Sequence, residues 1–309
     1  MKNNQIIIDS VKQELSKSGY EISLVPITRL EDLKNDVENF KRSEFFTEIV
    51  SAFVKTFYNF NLPDAPFRIN SIILVASPSP LVKVIFGWKK KKVSIMIPPT
   101  YMDYDVKPPV IEACLNQIMN RYGLHVSGSL ALPLKLLGIR SGLSRYGRNN
   151  ISYIEGMGSF AFLSAHYSDV QCEDNWHDIQ QMDSCKNCKI CINKCPTGAI
   201  EQGRFPVRVE RCITHYNENV GDFPQWMNPA WHNSIVGCLS CQLECPANRQ
   251  YPDNFKTVEF NKEETALLLK GGPLVDLPDS LADKIKVLNM TSYFNVLPRN
   301  LKVLLDKET

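Results

Sequence analysis

The sequence predicts an α+β protein, and three observations in chain order support this class. The first 65 residues contain three segments of helical character. Residues 66–180 contain compact apolar runs bounded by turns, which indicate strands mixed with helices. Residues 181–252 carry eight of the 10 cysteines, and residues 253–309 return to polar helical sequence. We therefore expect four regions, with boundaries at 1–65, 66–180, 181–252 and 253–309.

Helices are predicted where apolar residues recur at a spacing of three or four. In Glu44–Tyr58, for example, Phe45, Ile49, Phe53 and Phe57 fall on one face. A further short helix is predicted directly after Pro133. The remaining predicted helices are Val11–Ser18, Leu30–Phe40, Val110–Tyr122, Lys262–Lys270, Asp279–Leu288 and Leu297–Leu305.

Strands are predicted for the short apolar runs of the 66–180 region. Ile72–Ala76 is one of them, and Leu81–Trp88 with Val93–Pro98 forms a predicted hairpin around four lysines. Residues 98–105 follow as a loop. A second hairpin is predicted from Ile151–Ile154 and Ser159–Leu163, joined by a glycine-containing turn.

Composition excludes several classes of protein. A chain of 309 residues with 44% hydrophobic and 22% charged residues is typical of an ordinary soluble globular protein. A net charge of +2 lacks the strong basic excess of proteins held mainly by phosphates. No apolar segment is long enough to span a bilayer, and Met1–Ser10 is too short for a signal-peptide core. These features predict a cytoplasmic protein without a membrane partner.

Cysteine spacing is the strongest chemical signal in the chain. The pattern is Cys185-x2-Cys188-x2-Cys191-x3-Cys195-Pro196, then Cys212, then Cys238-x2-Cys241-x3-Cys245-Pro246. Its first half is the bacterial ferredoxin run, in which the fourth cysteine ligates the other cluster. Three cysteines in one turn can cap one face of a cubane, and the fourth ligand must come from elsewhere. We assign cluster one to Cys185, Cys188, Cys191 and Cys245, and cluster two to Cys195, Cys212, Cys238 and Cys241.

Zinc and disulfides are the alternative uses of these thiols. Zinc usually takes two separated Cys-x2-Cys pairs, and a third cysteine so close to the first pair crowds a tetrahedral site. Disulfides need an oxidising compartment, which nothing at the N-terminus indicates. Ligation by His215 or His232 is a further alternative, although eight cysteines already fill two clusters. Cys114 and Cys172 lie outside the pattern and are expected to be buried thiols.

Two stretches before the cysteines carry a family resemblance. With the displaced Cys212, the sequences of residues 142–150 (GLSRYGRNN) and 158–163 (GSFAFL) resemble epoxyqueuosine reductases, and more distantly corrinoid-dependent reductive dehalogenases. The resemblance implies an α/β cobalamin-binding-type domain, then a bacterial ferredoxin-like double-cluster domain and short C-terminal helices. It also implies an oxidoreductase in which electrons pass from cluster two through cluster one to a bound cobalamin.

The same resemblance implies cofactor and catalytic residues. Cobalamin contacts are expected at five positions: Ser152, Ile154, Gly158, Ser159 and Ser240. The proton donor is expected in the loop after the first hairpin, at Tyr101 or Tyr104, with Asp103 and Asp105 as further candidates. Because dehalogenases support a tyrosine donor with a cation, Arg148 or Arg140 is the expected partner.

The chain also departs from the epoxyqueuosine reductase pattern. The family's catalytic aspartate would fall near Gly128, within Ser127-Gly128-Ser129, where no acid occurs. A family Gly-Lys-Asn-Thr appears as residues 147–150, Gly-Arg-Asn-Asn, which keeps the charge and changes its geometry. These departures favour a small-molecule substrate over tRNA, with a low-potential donor such as ferredoxin or flavodoxin. The alternatives are a genuine epoxyqueuosine reductase acting on tRNA and a ferredoxin-type electron carrier serving a partner enzyme.

Overall fold

The computed structural model describes residues 2–129, 131–249 and 256–307. The chain forms two compact units, each assembled from two separate stretches. The first unit contains Met1–Pro78 and Val106–Cys188, and the second contains Ser79–Asp105 and Lys189–Thr309. The division into four regions remains a prediction.

Helices and strands alternate along the described residues. The helices are α1 (Lys2–Ser16), α2 (Arg29–Lys41), α3 (Glu48–Phe57), α4 (Pro99–Asp103), α5 (Lys107–Met119), α6 (Leu134–Arg140), α7 (Ile190–Lys194), α8 (Ile213–Glu218), α9 (Ser240–Leu243), α10 (Lys262–Lys270), α11 (Asp279–Val287) and α12 (Leu297–Asp306). The strands are β1 (Glu21–Pro26), β2 (Ser71–Pro78), β3 (Val82–Trp88), β4 (Lys91–Ile97), β5 (Val126–Ser129), β6 (Arg145–Tyr146), β7 (Ser152–Tyr153), β8 (Ala161–Ser168) and β9 (Lys256–Phe260).

The first unit is built on a four-stranded antiparallel sheet in the order β1-β2-β8-β5. Strand β2 is buried from Ser71 to Ser77 because helices cover both sheet faces. Ile73 and Val75 pack in the cluster that contains residues of α1 and α5. Ile72 and Leu74 point the other way, toward residues of α2 and α6. A small second sheet pairs β6 with β7.

The second unit contains a three-stranded sheet in the order β4-β3-β9. Strands β3 and β4 form the predicted lysine-tipped hairpin, and β9 pairs with β3 in parallel. Phe86 of β3 stacks on Phe260 of β9, with ring centroids 5.0 Å apart. The helices α10, α11 and α12 pack around this sheet and share one apolar core with it.

The predicted class of mixed helices and strands is confirmed, and several elements differ in extent or pairing. The predicted hairpin between residues 151 and 163 is wrong, because β7 pairs with β6 while β8 lies between β2 and β5. The predicted loop at residues 98–105 contains the short helix α4. Strands β1, β5, β6 and β9 were not predicted, and helix α1 begins at Lys2 instead of Val11. Among the described residues, no helix has the length and apolar character needed to cross a membrane.

Helix α12 ties the C-terminal region to the insertion between Cys212 and Cys238. Asn300, fully buried on α12, donates from Nδ2 to the backbone oxygens of Asn217 at 2.8 Å and Ile235 at 2.6 Å. Arg299 donates to the Tyr216 carbonyl at 2.7 Å, and Lys307 donates to the His232 carbonyl at 2.6 Å. The C-terminal region therefore supports the cysteine-rich segment through these hydrogen bonds.

Removing the buried amide of Asn300 is expected to destabilise the second unit. Asn300→Ala would leave two buried carbonyls without their donor, which costs about 2–4 kcal/mol of unfolding free energy. Lys302→Ala, at an exposed position of the same helix, is the matched control and should change stability little. Urea unfolding of the cofactor-loaded protein under nitrogen measures both. Equal stabilities of the two variants would contradict the role given to Asn300.

Candidate functional site

The cysteine-rich segment contains a weak repeat of one short helix followed by Cys-Pro. Helix α7 carries Cys191 and precedes Cys195, while α9 carries Cys241 and precedes Cys245. The two helices contact each other. Each helix ends in a tight turn, and after α7 the amide of Cys195 donates to the Cys191 carbonyl at 3.0 Å. Such turns bring successive cysteines to one side of the backbone, as cluster ligation requires.

Three predicted ligands of cluster two interact in the second unit. Burial of the Cys212 thiol raises its pKa to about 11, and the charges of Cys238 and Cys195 contribute in the same direction. The Cys212 thiol therefore lies within electrostatic range of Cys238 and of Cys195. Cys241, the fourth predicted ligand, lies in α9, which starts directly after Leu239. A metal cluster would supply the positive charge that this group of thiols needs.

None of the 10 cysteines, all within the described residues, forms a disulfide. Cys114 and Cys172 are half-buried beside the α1 and α5 core, and burial raises the pKa of both thiols. Within the described part of the chain, no three His, Cys, Asp or Glu side chains converge as a ready site for one metal ion. The case for a metal centre thus depends on the cysteine pattern and on the interacting thiols.

Arg148 lies beside the predicted ligands of the first unit. Its Nη2 donates to the backbone carbonyl of Cys185, and the same nitrogen is 3.3 Å from the carbonyl oxygen of Lys186. Arg148 Nε is buried and has no hydrogen-bond partner among the described residues. The guanidinium thus fixes the backbone that carries Cys185, and its Nε remains available to a ligand.

The four predicted cobalamin residues of the first unit surround one tight turn. Ile154 and Gly158 exchange backbone hydrogen bonds of 2.8 and 2.9 Å, and Gly158 adopts a φ of +57° that favours glycine. Ser152, Ile154 and Ser159 are buried beside this turn. Ser152 Oγ is buried without a hydrogen-bond partner within the described residues. Such a hydroxyl fits a polar ligand group, because a buried polar atom without a partner is otherwise unfavourable.

The two candidate tyrosines have different surroundings in the second unit. The Tyr101 hydroxyl donates to the carboxylate of Glu218, and its ring meets Tyr293 edge-on at 5.4 Å. Burial, reinforced by Glu218, raises the Tyr101 pKa well above its ordinary value, so the hydroxyl keeps its proton at neutral pH. Tyr104 is 62% exposed. The hydrogen-bond partner of the Tyr101 hydroxyl is therefore an anion, the Glu218 carboxylate.

Arg140 has partners of its own in the first unit. Its Nη2 and Nε donate to the two carboxylate oxygens of Asp36 at 2.6 and 2.8 Å. The guanidinium also lies over the Trp176 ring, 5.6 Å from its centroid. The bidentate ion pair with Asp36 and the contact with Trp176 hold the Arg140 guanidinium in place within the first unit.

A histidine lies opposite the strand where the family's aspartate is missing. His166 of β8 pairs in register with Ser129 of β5, and its Nε2 is 3.1 Å from Ser164 Oγ. Burial lowers the His166 pKa to about 4, and a hydrogen bond with the Gly128 backbone opposes that shift. His166 was not predicted from the sequence. The polar alternation of Ser164, His166 and Ser168 in a buried strand is the signal that could have revealed it.

The insertion histidines have partners other than cysteine. His232 is buried, and its Nδ1 lies 3.1 Å from Asn217 Oδ1. His215 is half-buried, packs against Tyr216 with centroids 5.1 Å apart and has its pKa lowered by burial. Ligation by either histidine remains a prediction.

Ser240, the fifth predicted cobalamin residue, accepts a hydrogen bond from Asn233 Nδ2 at 2.7 Å.

Comparison with known proteins identifies the cysteine-rich segment. Residues 184–248 match the family described as the 4Fe-4S double cluster binding domain. Epoxyqueuosine reductase from Francisella cf. novicida (strain Fx1) is 33% identical over 117 residues, which cover 38% of this chain and 32% of that protein. The Escherichia coli (strain K12) enzyme is 34% identical over 114 residues, covering 37% and 29%. The chain is related to the epoxyqueuosine reductases. The sequence match spans about a third of the length of these relatives.

Solved structures extend the likeness to most of the chain. A structure of epoxyqueuosine reductase from Bacillus subtilis has a TM-score of 0.61 at 18% identity, covering 98% of this chain and 81% of that one. An epoxyqueuosine reductase bound to a modified tRNA-Tyr stem loop has the same score at 17% identity, with the same coverage. At such identities the comparison establishes a shared fold. The predicted family resemblance and the double-cluster segment are thereby confirmed.

The cross-ligation between the two halves of the cysteine pattern can be tested. Cys195→Ala should remove cluster two and spare cluster one, so the variant should retain roughly half of the iron. Cys114→Ala, outside the pattern, is the control that should retain all of it. Iron and sulfide analysis with electron paramagnetic resonance of the reduced protein provides the measurement. Equal loss of both clusters from the Cys195 variant would contradict the ligand assignment.

The buried His166 should make stability depend on pH. Because its pKa is about 4 in the folded chain and about 6.5 when unfolded, the unfolded state binds the proton first as pH falls. This histidine therefore contributes a loss of about 1.3 kcal/mol of unfolding free energy between pH 7.5 and pH 5.5. His166→Asn should lose that contribution in urea unfolding at pH 7.5 and 5.5. An unchanged pH dependence would refute it.

Proposed function

We propose that the protein is an iron–sulfur oxidoreductase that carries electrons through two 4Fe-4S clusters to a bound cobalamin. The observation that carries this proposal is the eight-cysteine pattern, which falls within the residues matching the double cluster domain. The interaction of the Cys212 thiol with Cys195 and Cys238 supports it. The unbridged cysteines fit a reducing compartment, and we place the protein in the cytoplasm.

The two clusters would divide the eight thiols as the spacing predicts. Cluster one would be held by Cys185, Cys188, Cys191 and Cys245, and cluster two by Cys195, Cys212, Cys238 and Cys241. Electrons from a low-potential donor such as ferredoxin or flavodoxin would enter at cluster two. Arg148 would hold the backbone of Cys185 through its bond to that carbonyl.

The first-unit residues around the Gly158 turn fit a corrin ligand. Bound cobalamin would supply the low-potential metal chemistry that reduces the substrate. Ser152 would contribute its otherwise unpaired hydroxyl, and Ile154 an apolar surface. Gly158 and Ser159 would contribute backbone that a larger side chain would obstruct. Ser240 is the fifth proposed contact.

Tyr101 and Tyr104 are the proposed proton donors. Tyr101 retains its proton at Oη because burial and Glu218 both oppose ionisation, which keeps its pKa high. Tyr104 is largely exposed and would reach a substrate that enters from solvent. Arg148 is the proposed supporting cation, through its unpaired Nε.

A small molecule is our first candidate substrate, and epoxyqueuosine in tRNA is the second. The sequence relatives favour the second, because they are epoxyqueuosine reductases and one solved neighbour holds a modified tRNA stem loop. The missing acid near Gly128 and the slight charge excess of +2 favour the first. Restoration of queuosine in a strain lacking the reductase separates the two. A well-expressed copy that restores none would exclude the second candidate.

Metal content tests the cofactor proposal. Protein expressed with cobalamin and purified without oxygen should contain about eight irons and one cobalt per chain. Ser152→Leu should reduce the cobalt content and leave the iron unchanged, whereas Cys114→Ala should change neither. Eight irons without cobalt, even after incubation with excess cobalamin, would reject the reductase proposal and favour an electron carrier for a partner enzyme.

A further inference from the structure

Asn233 places an amide against the sulfur of a cluster-two ligand. It lies in the insertion that separates Cys212 from Cys238, outside every cysteine motif. Its Nδ2 is 3.2 Å from Cys238 Sγ, within the range of an N–H···S hydrogen bond. No role for this residue was predicted from the sequence.

The orientation of the Asn233 amide follows from its other contacts. Its Oδ1 accepts the backbone N–H of Leu239 at 2.8 Å. A backbone N–H can only donate, so the oxygen must face Leu239 and the NH₂ group must face the sulfur. The Asn233 side chain therefore hydrogen-bonds both to the sulfur of the ligand Cys238 and to the backbone N–H of the next residue, Leu239.

Ser240 completes the arrangement around the sulfur. Its Oγ accepts a hydrogen bond from Asn233 Nδ2 at 2.7 Å and lies 3.6 Å from Cys238 Sγ. A cluster-bound cysteine is a thiolate and can only accept hydrogen bonds. The Ser240 hydroxyl, already accepting from Asn233, then has its own hydrogen free to donate to the sulfur.

The surrounding backbone keeps this geometry in place. Buried Asn217 donates from Nδ2 to the carbonyls of Gly237 at 2.8 Å and Ser234 at 3.2 Å. A Cβ added to Gly237 would lie only 2.7 Å from the Tyr101 hydroxyl oxygen, so the turn before Cys238 is closely packed. These contacts hold the backbone near the two hydrogen-bond donors, Asn233 and Ser240, in one conformation.

We propose that Asn233, assisted by Ser240, raises the reduction potential of cluster two by donating hydrogen bonds to Cys238 Sγ. Reduction adds one electron and hence one negative charge to the cluster and its sulfurs, and a hydrogen-bond donor stabilises the reduced state more than the oxidised state. The hydrogens stay on nitrogen and oxygen, so no proton is transferred. The inference rests on the cluster-two ligands of the proposed function, and on neither cobalamin nor a substrate.

Asn233→Asp keeps the shape and the acceptor for Leu239 while replacing the donor by an anion, and Ser240→Ala removes the second proposed donor without adding charge. In the Asn233 variant the equilibrium constant for reducing cluster two should fall about tenfold, equivalent to about 59 mV for a one-electron couple. Asn228→Asp is the matched control. Asn228 lies in the same insertion, is exposed, and uses Oδ1 to accept the Ala230 N–H at 2.9 Å, a bond that aspartate also makes.

Redox titration of the anaerobic, iron-loaded protein with dithionite, followed by electron paramagnetic resonance, measures both cluster potentials. The expected result is a lower potential for cluster two in the Asn233 variant, with cluster one and the Asn228 variant unchanged. An unchanged potential in a fully loaded Asn233 variant, or an equal shift in both variants, would overturn the proposal.

Ser240→Ala keeps the proposal testable if the aspartate variant loses iron. It should lower the potential of cluster two in the same direction by less than the Asn233 change, and an unchanged potential would overturn the proposal. A wild-type protein with one cluster would instead overturn the ligand assignment itself. The titrations use iron-loaded protein without cobalamin, so the proposed cobalamin contact of Ser240 does not enter these readings and failure of the cofactor proposal is distinguishable.

Discussion

The buried Cys212 thiol of the second unit lies within electrostatic range of Cys238 and Cys195, and this is the interaction on which the proposed cluster site depends. Burial alone raises the pKa of Cys212, and neighbouring Cys238 and Cys195 add to the effect, so that the pKa reaches about 11. Such a group becomes fully ionised only when positive charge compensates it. Under the proposed function, the cysteine-rich segment would draw stability from a bound cluster as well as from its own packing. This is the general behaviour of small metal-binding segments, in which binding and folding are coupled.

Buried asparagine side chains stabilise the backbone around these cysteines by hydrogen bonds, where an apolar core would do so by packing. Asn217 and Asn300 are fully buried, and each uses its amide to hold two backbone carbonyls of the insertion or its flanks. An apolar side chain could fill the same volume, but it would leave those carbonyls without donors. The loops before Cys238 are thus fixed by directional bonds. Directional bonds suit a site whose sulfurs must stay in place while its charge changes.

The local chemistry of the cysteines could be predicted from sequence because it depends on spacing along the chain. The Cys-x2-Cys-x2-Cys run fixes its own turn, and the family resemblance around residues 142–163 indicated the double-cluster architecture. Strand pairing was harder to predict from the sequence. The five-residue strand β9 is stabilised by parallel pairing with β3 and by the stacking of Phe260 on Phe86, and both partners are distant in sequence. The false hairpin at residues 151–163 arose because β8 has the same local pattern whether it pairs with β7 or with β2.

Asn233 and His166 show why site residues outside a motif escape sequence reading. Neither residue belongs to a sequence motif. The role of Asn233 follows from its contact with Cys238, and that of His166 from the pairing of its strand with β5. Burial acts on the pKa of Tyr101, a proposed proton donor, and on that of His166 in opposite directions. Burial raises the pKa of Tyr101 and lowers that of His166, so both side chains are neutral near pH 7 and each retains a hydrogen. Under the proposed function, Tyr101 would hold a proton at Oη although no acid occurs near Gly128.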